Sequence, residues 1–163
     1  MFPDVLQSRA AELVARYHAK GLTVATAESC TGGLVAGLIT AIPGSSLIFE
    51  RGFVTYSNPA KVECLGVPPE LIDRVGAVSP EVANAMAAGA LAHSLADIAL
   101  SITGIAGPSG GSPEKPIGLV HFGLARKGGV IFTVEKRFGD LGRTAVRSAA
   151  LATAIELLFE AAG

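Results

Sequence analysis

The stretch Leu22–Glu28, LTVATAE, constrains the fold more than any other part of the chain. It is short, β-branched and largely apolar, the signature of a buried strand. Helical patterns stand on both sides of it. Residues 4–20 place Val5, Leu13, Val14 and Tyr17 at broadly helical spacing, and Gly21 stands where a left-handed C-terminal cap belongs. Beyond Thr31, the residues Leu34, Val35, Leu38, Ile39 and Ile42 keep a 3.6-residue period that stops at Pro43-Gly44. The first part of the chain is therefore helix, strand, tight turn, helix.

The same alternation continues. Residues 46–57 read as a strand with a break at Gly52, ending at Tyr56. Residues 58–66 read as a short helix with Asn58 as N-cap and Pro59 at the first helical position. Ser79-Pro80-Glu81 starts another helix, alanine-rich from Val82 to Leu95. In ADIALSITG (96–104), Ile98, Leu100 and Ile102 share one face and Ala99, Ser101 and Thr103 the other, which is strand periodicity. Two more strands form a hairpin through Lys127-Gly128-Gly129, and a helix from about Gly142 to Ala161 closes the chain. Helices alternating with strands, plus one hairpin, predict a single three-layer α/β/α domain over residues 1–163, with a mixed sheet and a C-terminal helix.

Composition narrows the class of partner. The chain has 13 basic and 14 acidic residues and a net charge of −1, with no basic run, which argues against nucleic-acid binding. No apolar run approaches the roughly 20 residues that span a bilayer. The two cysteines, Cys30 and Cys64, lack C-x-x-C spacing and fit a reducing compartment, so a soluble cytoplasmic protein is expected. No set of His, Cys, Asp and Glu has metal-ligand spacing, and no cofactor is expected.

Chemistry concentrates in three segments. TAESCTGG (26–33) lies at the strand-to-helix turn and holds two candidate nucleophiles, Ser29 and Cys30. Ser29 or Thr31 there could simply cap the helix. The same turn also presents the N–H groups of Cys30, Thr31 and Gly32 at the positive end of a helix dipole, where an oxyanion is stabilised. His18, His93 and His121 fall on helix-surface or mid-strand positions, which leaves no obvious histidine base. Lys61, in TYSNPAK, is the alternative: a desolvated lysine becomes a general base near neutral pH, and Tyr56 belongs to the same edge. The third segment is the glycine-rich loop 104–118, at a strand's carboxyl end, together with Arg143 and Arg147 in the first turns of the last helix. A cation where the dipole prefers an acid points to an anionic ligand.

These segments together, TAESCTGGLVAGLIT, GFVTYSNPAKVECLGV, GAVSPEVANAMAAGAL, SITGIAGPSGGSPEKPIGLVHFGLA and RTAVRSAAL, resemble the CinA carboxyl-terminal domain family. That family includes the nicotinamide-nucleotide amidases, and nothing in the chain corresponds to the additional amino-terminal domain of its larger members. The resemblance implies hydrolysis of the carboxamide of nicotinamide mononucleotide to nicotinate mononucleotide and ammonia. It implies Ser29 as nucleophile with Lys61 and Tyr56 as the basic pair. Thr103, Gly104, Gly107 and Arg143 are then the nucleotide site, and the chain a homodimer or higher oligomer. Two alternatives stay open: a non-catalytic nucleotide-binding module using the same loop, and an amidase for a different amide.

Overall fold

The computed structural model describes residues 1–163. Strands β1 (Val24–Glu28), β2 (Phe49–Val54), β3 (Ile98–Gly104), β4 (Leu119–Arg126) and β5 (Phe132–Arg137) form one sheet in the order β2-β1-β3-β4-β5. β1 runs parallel to both β2 and β3, whereas β4 is antiparallel to β3 and β5 to β4. Helices α1 (Asp4–Lys20), α2 (Leu34–Thr40) and α6 (Arg143–Ala161) cover one face. Helices α3 (Asn58–Leu65), α4 (Pro69–Val75) and α5 (Pro80–Ala92) cover the other. The mixed three-layer α/β/α architecture is the one the periodicities predict.

The two faces differ in side-chain size, and the alternation within β3 decides which is which. Ile98, Leu100 and Ile102 join Phe122 of β4 and Leu151 and Ile155 of α6 in the larger core. On the other face Ala25, Ala27 and Ala99 meet Met86 and Ala87 of α5. Small residues there let α5 lie close to the sheet. At Gly123 a Cβ would collide with the Ala83 carbonyl, and the Ser101 hydroxyl donates to that same oxygen at 2.5 Å. Helix α6 is tied to α1 by the buried Tyr17 hydroxyl, which donates to the Leu158 carbonyl at 2.8 Å.

Local signals account for most boundaries. Gly21, at φ 63°, closes α1, and Ser79 Oγ accepts the Val82 N–H at 3.2 Å to start α5. The expected cap of α3 is displaced by one residue: Ser57 Oγ accepts the Ala60 N–H at 3.2 Å, and Asn58 is already helical. β2 stops at Val54, so Tyr56 stands beyond the strand. Helix α4 has no counterpart in the sequence reading, because its opening Pro68-Pro69 resembles a loop; Leu71, Ile72 and Val75 pack it into the α5-side core. No helix is long and apolar enough to cross a membrane.

Candidate active site

Three parallel strands end on one edge, and their carboxyl ends carry the candidate residues, as ligand sites in such sheets do. The Ser29 N–H donates to Ile102 O of β3, and the Thr55 N–H to Glu28 O of β1, each at 2.9 Å. These two bonds extend the pairing past the strand ends and bring Ser29 and Thr55 side by side.

Lys61 projects from the first turns of α3 into this edge and is 1% exposed. Its Nζ donates to Thr55 O at 2.9 Å and Tyr56 O at 3.3 Å, and lies 3.2 Å from Ser29 Oγ. Two backbone carbonyls thus fix the amine, and the remaining direction points at the serine. Burial pushes the Lys61 ammonium below the ordinary lysine value. In its neutral form the amine keeps two donors for the carbonyls and turns its lone pair to the Ser29 hydroxyl.

Cys30, the other candidate nucleophile, is buried, and burial pushes its thiol up to about 11. At neutral pH it is a protonated thiol packed in the larger core.

The helix after the turn is capped in an unexpected way. Neither Ser29 nor Thr31 caps α2. The buried Glu28 carboxylate reaches forward and accepts the N–H groups of Gly33 and Val35 at 3.1 Å and Ala36 at 2.9 Å. Three charge-assisted bonds at a helix N-terminus set the turn rigidly behind Ser29. Glu28→Gln is expected to cost about 2–3 kcal/mol, lowering Tm by roughly 5–10 °C for a chain of this size. An unchanged melting curve would show that the carboxylate is not what holds the turn.

Of the three N–H groups expected to hold an oxyanion, one is already paired within the turn and two are not. The Gly32 N–H closes on Ser29 O at 3.0 Å and is spent, whereas the N–H groups of Cys30 and Thr31 donate to nothing in the protein. Gly32 and Gly33, at φ 61° and 93°, supply the left-handed backbone that makes this turn.

The exposed Tyr56 ring extends the site outward. Its hydroxyl accepts from Arg143 Nη2 at 2.9 Å, and Arg143 Nη1 donates to Gly107 O at 3.0 Å. The phenol makes no hydrogen bond to Lys61 or Ser29, so the expected alternative route for the proton through Tyr56 gives way to direct contact between Lys61 and Ser29. Arg143 opens α6, whose first turn has no capping side chain and no acidic residue. Its first N–H groups add to the positive end presented beside Gly107.

Thr103 lies at the end of β3. It is buried, and its hydroxyl proton is spent on Ala77 O at 2.8 Å, which ties β3 to the α4–α5 connection. At Gly104 a Cβ would press on Val120 Cγ2 at 2.7 Å, so the glycine serves the close pairing with β4. Arg147 does not share the outward position of Arg143: its Nε and Nη2 donate to the carbonyls of Cys30 and Thr31 at 3.1 and 3.0 Å. No histidine approaches Ser29; His121 is buried on β4 with Nε2 3.9 Å from Glu135. The structure therefore brings together Ser29, Lys61, Tyr56, Gly107 and Arg143, turns Arg147, an anion-site candidate in the sequence, onto the carbonyls of the turn, and adds Glu28, which the sequence reading did not assign.

Comparison with known proteins identifies the family and the fold. The model of the CinA C-terminal domain matches residues 6–162. The nicotinamide-nucleotide amidohydrolase PncC of Escherichia coli is 54% identical over 143 residues, 87% of this chain and 86% of that protein. The CinA-like protein of Geobacter metallireducens is 51% identical over 87% of this chain, which spans only 34% of that protein. The chain likewise spans a third or less of the first curated relatives it matches, at 33% and 26% of their lengths. Among solved structures, the competence/damage inducible protein CihA of Agrobacterium tumefaciens superposes with a TM-score of 0.96 at 49% identity, covering 98% of this chain and 97% of its own. A CinA superfamily protein of Klebsiella pneumoniae gives 0.91 at 34% identity, covering 96% and 97%.

Proposed function

The chain belongs to the CinA C-terminal domain family, and from that premise we propose that it hydrolyses the carboxamide of nicotinamide mononucleotide, releasing ammonia and nicotinate mononucleotide. The observation that carries this reading is the buried Lys61 amine 3.2 Å from Ser29 Oγ, at the mouth of a turn with two unspent N–H donors. The substrate is the one acted on by the E. coli relative, a nicotinamide-nucleotide amidohydrolase.

Neutral Lys61 takes the Ser29 proton as Oγ bonds to the amide carbon. The resulting oxyanion is held by the N–H groups of Cys30 and Thr31; one such donor is worth about 10²–10³ in rate. The Lys61 ammonium then gives its proton to the amide nitrogen, the C–N bond breaks and ammonia leaves. Water, losing a proton to Lys61, attacks the Ser29 ester of nicotinate mononucleotide. The carboxylate departs and Ser29 recovers its proton.

Arg143, with the first turn of α6 and the Gly107 segment, holds the phosphate, and Tyr56 keeps the guanidinium in place. Binding energy is thereby gathered away from the reacting amide and used to orient it. Losing a charge-assisted contact worth about 1.5–3 kcal/mol corresponds to roughly 10–10²-fold in affinity. Arg143→Ala is therefore expected to raise KM for the mononucleotide by that factor and to leave any ammonia release from nicotinamide riboside, which lacks the phosphate, at its wild-type level. Equal losses on both substrates would place the phosphate elsewhere. Continuous measurement of ammonia release tests the activity itself. Assembly into a homodimer or larger oligomer is proposed from the family alone.

A further inference from the structure

Arg147 carries a positive charge with no carboxylate partner, and its guanidinium is spent on two successive backbone carbonyls of the nucleophile's turn. It stands one helical turn after Arg143, between Val146 and Ala150, which bury α6 against the sheet. Its Nη2 would lie 3.5 Å from a Cβ on Gly32, so the planar group packs in ordinary contact against the turn.

In a trans peptide the carbonyl and the following N–H point in opposite directions. Holding Cys30 O on Arg147 Nε therefore drives the Thr31 N–H to the other side of the turn, and that N–H donates to nothing in the protein. Holding Thr31 O on Nη2 does the same for the Gly32 N–H, which closes on Ser29 O. One rigid fork thus sets both peptide planes following the nucleophile's neighbour. A charged donor on a carbonyl also polarises its peptide unit and strengthens the N–H at the opposite end. Lysine carries three donors on one freely rotating nitrogen and lacks the rigid planar fork that holds these two carbonyls in a fixed relative orientation.

We propose that Arg147 is a positioning residue for the oxyanion site: it fixes and polarises the Cys30–Thr31 peptide so that the Thr31 N–H meets the tetrahedral intermediate. The proposal rests on the amidase reading with Ser29 as nucleophile. It separates the two arginines of α6, giving Arg143 to ligand binding and Arg147 to the transition state.

The test compares Arg147→Ala, Arg147→Gln and Arg147→Lys with the wild type, each first checked for an unchanged fold by circular dichroism. Ammonia release from nicotinamide mononucleotide gives kcat and KM, and competition by nicotinate mononucleotide gives its Ki. The expected result is a kcat lowered about 10–10²-fold in Arg147→Ala, with KM and Ki nearly unchanged. Arg147→Lys recovers only part of the loss, and millimolar guanidinium restores part of kcat to the alanine variant. The amide resonances of Thr31 and Gly32 shift in Arg147→Ala and move back on adding guanidinium. A rise in KM and Ki with kcat preserved would make Arg147 a ligand for substrate and overturn the proposal, as would unchanged kcat in all three variants. A wild type that releases no ammonia would instead defeat the amidase reading. The Thr31 resonance then decides separately whether Arg147 sets that peptide, and an unshifted signal would refute it.

Discussion

Lys61→Met is expected to lower kcat/KM for ammonia release by about 10³-fold or more while leaving the chain folded, because it removes the only base in contact with Ser29. Methionine keeps an unbranched apolar stem in the buried channel that Lys61 occupies, so the loss is chemical. The pH dependence follows from the same burial. The ammonium sits below the ordinary lysine value of 10.5, and only the neutral amine accepts the serine proton. Activity of the wild type therefore rises with pH as Lys61 loses its proton, and levels off below 10.5. The methionine variant lacks that rising limb. Stability moves in the same direction: between the lowered value and 10.5 the unfolded chain holds a proton that the folded chain has released, so folding becomes more favourable as pH rises through that window. A wild-type rate at pH 7 in Lys61→Met would remove the residue from the mechanism.

Ser29→Ala carries the other large effect. Removing the nucleophile of an acyl-transfer site costs about 10⁴-fold or more in kcat, with the oxyanion donors and bound substrate accounting for the residue of rate. Cys30→Ala is expected to keep most of its activity, since its thiol is buried and held protonated at neutral pH by a value pushed up to about 11. Its penalty falls on stability, of order 1 kcal/mol for the small volume lost from the core. The pair of variants must be measured together. A dead Cys30→Ala beside an active Ser29→Ala would reverse the assignment.

The layers of the fold were legible because each strand and most helices carry their own period. ADIALSITG announces its two faces residue by residue, and Gly21 and Ser79 mark helix ends by local chemistry alone. Helix α4 was not, because its two prolines resemble a loop and its apolar side has meaning only against α5. At the site, the residue types in ESCTGG and YSNPAK suggested a serine and a lysine, but their spacing in the chain, 32 positions apart, says nothing about contact. Parallel pairing of β1 with β2 creates that contact.

Glu28 escaped notice for a related reason. Cap rules look to the residue directly before a helix, whereas this carboxylate reaches forward from the end of β1 over several residues. Arg143 and Arg147 were indistinguishable in sequence, one turn apart on the same helix. Their difference lies in what each faces: a phenol and a loop carbonyl in one case, the carbonyls of the turn after Ser29 in the other. The Gly32 N–H, counted among free donors from its position, is consumed by the turn's own closure.

The central claim is a serine amidase acting on nicotinamide mononucleotide, and quantifying both products from wild type and Ser29→Ala side by side tests it most directly. The account predicts equimolar ammonia and nicotinate mononucleotide from the wild type, and neither above background from a Ser29→Ala protein that still binds the nucleotide. A wild type that binds the mononucleotide yet releases no ammonia, or a Ser29→Ala variant that turns it over at the wild-type rate, would contradict it.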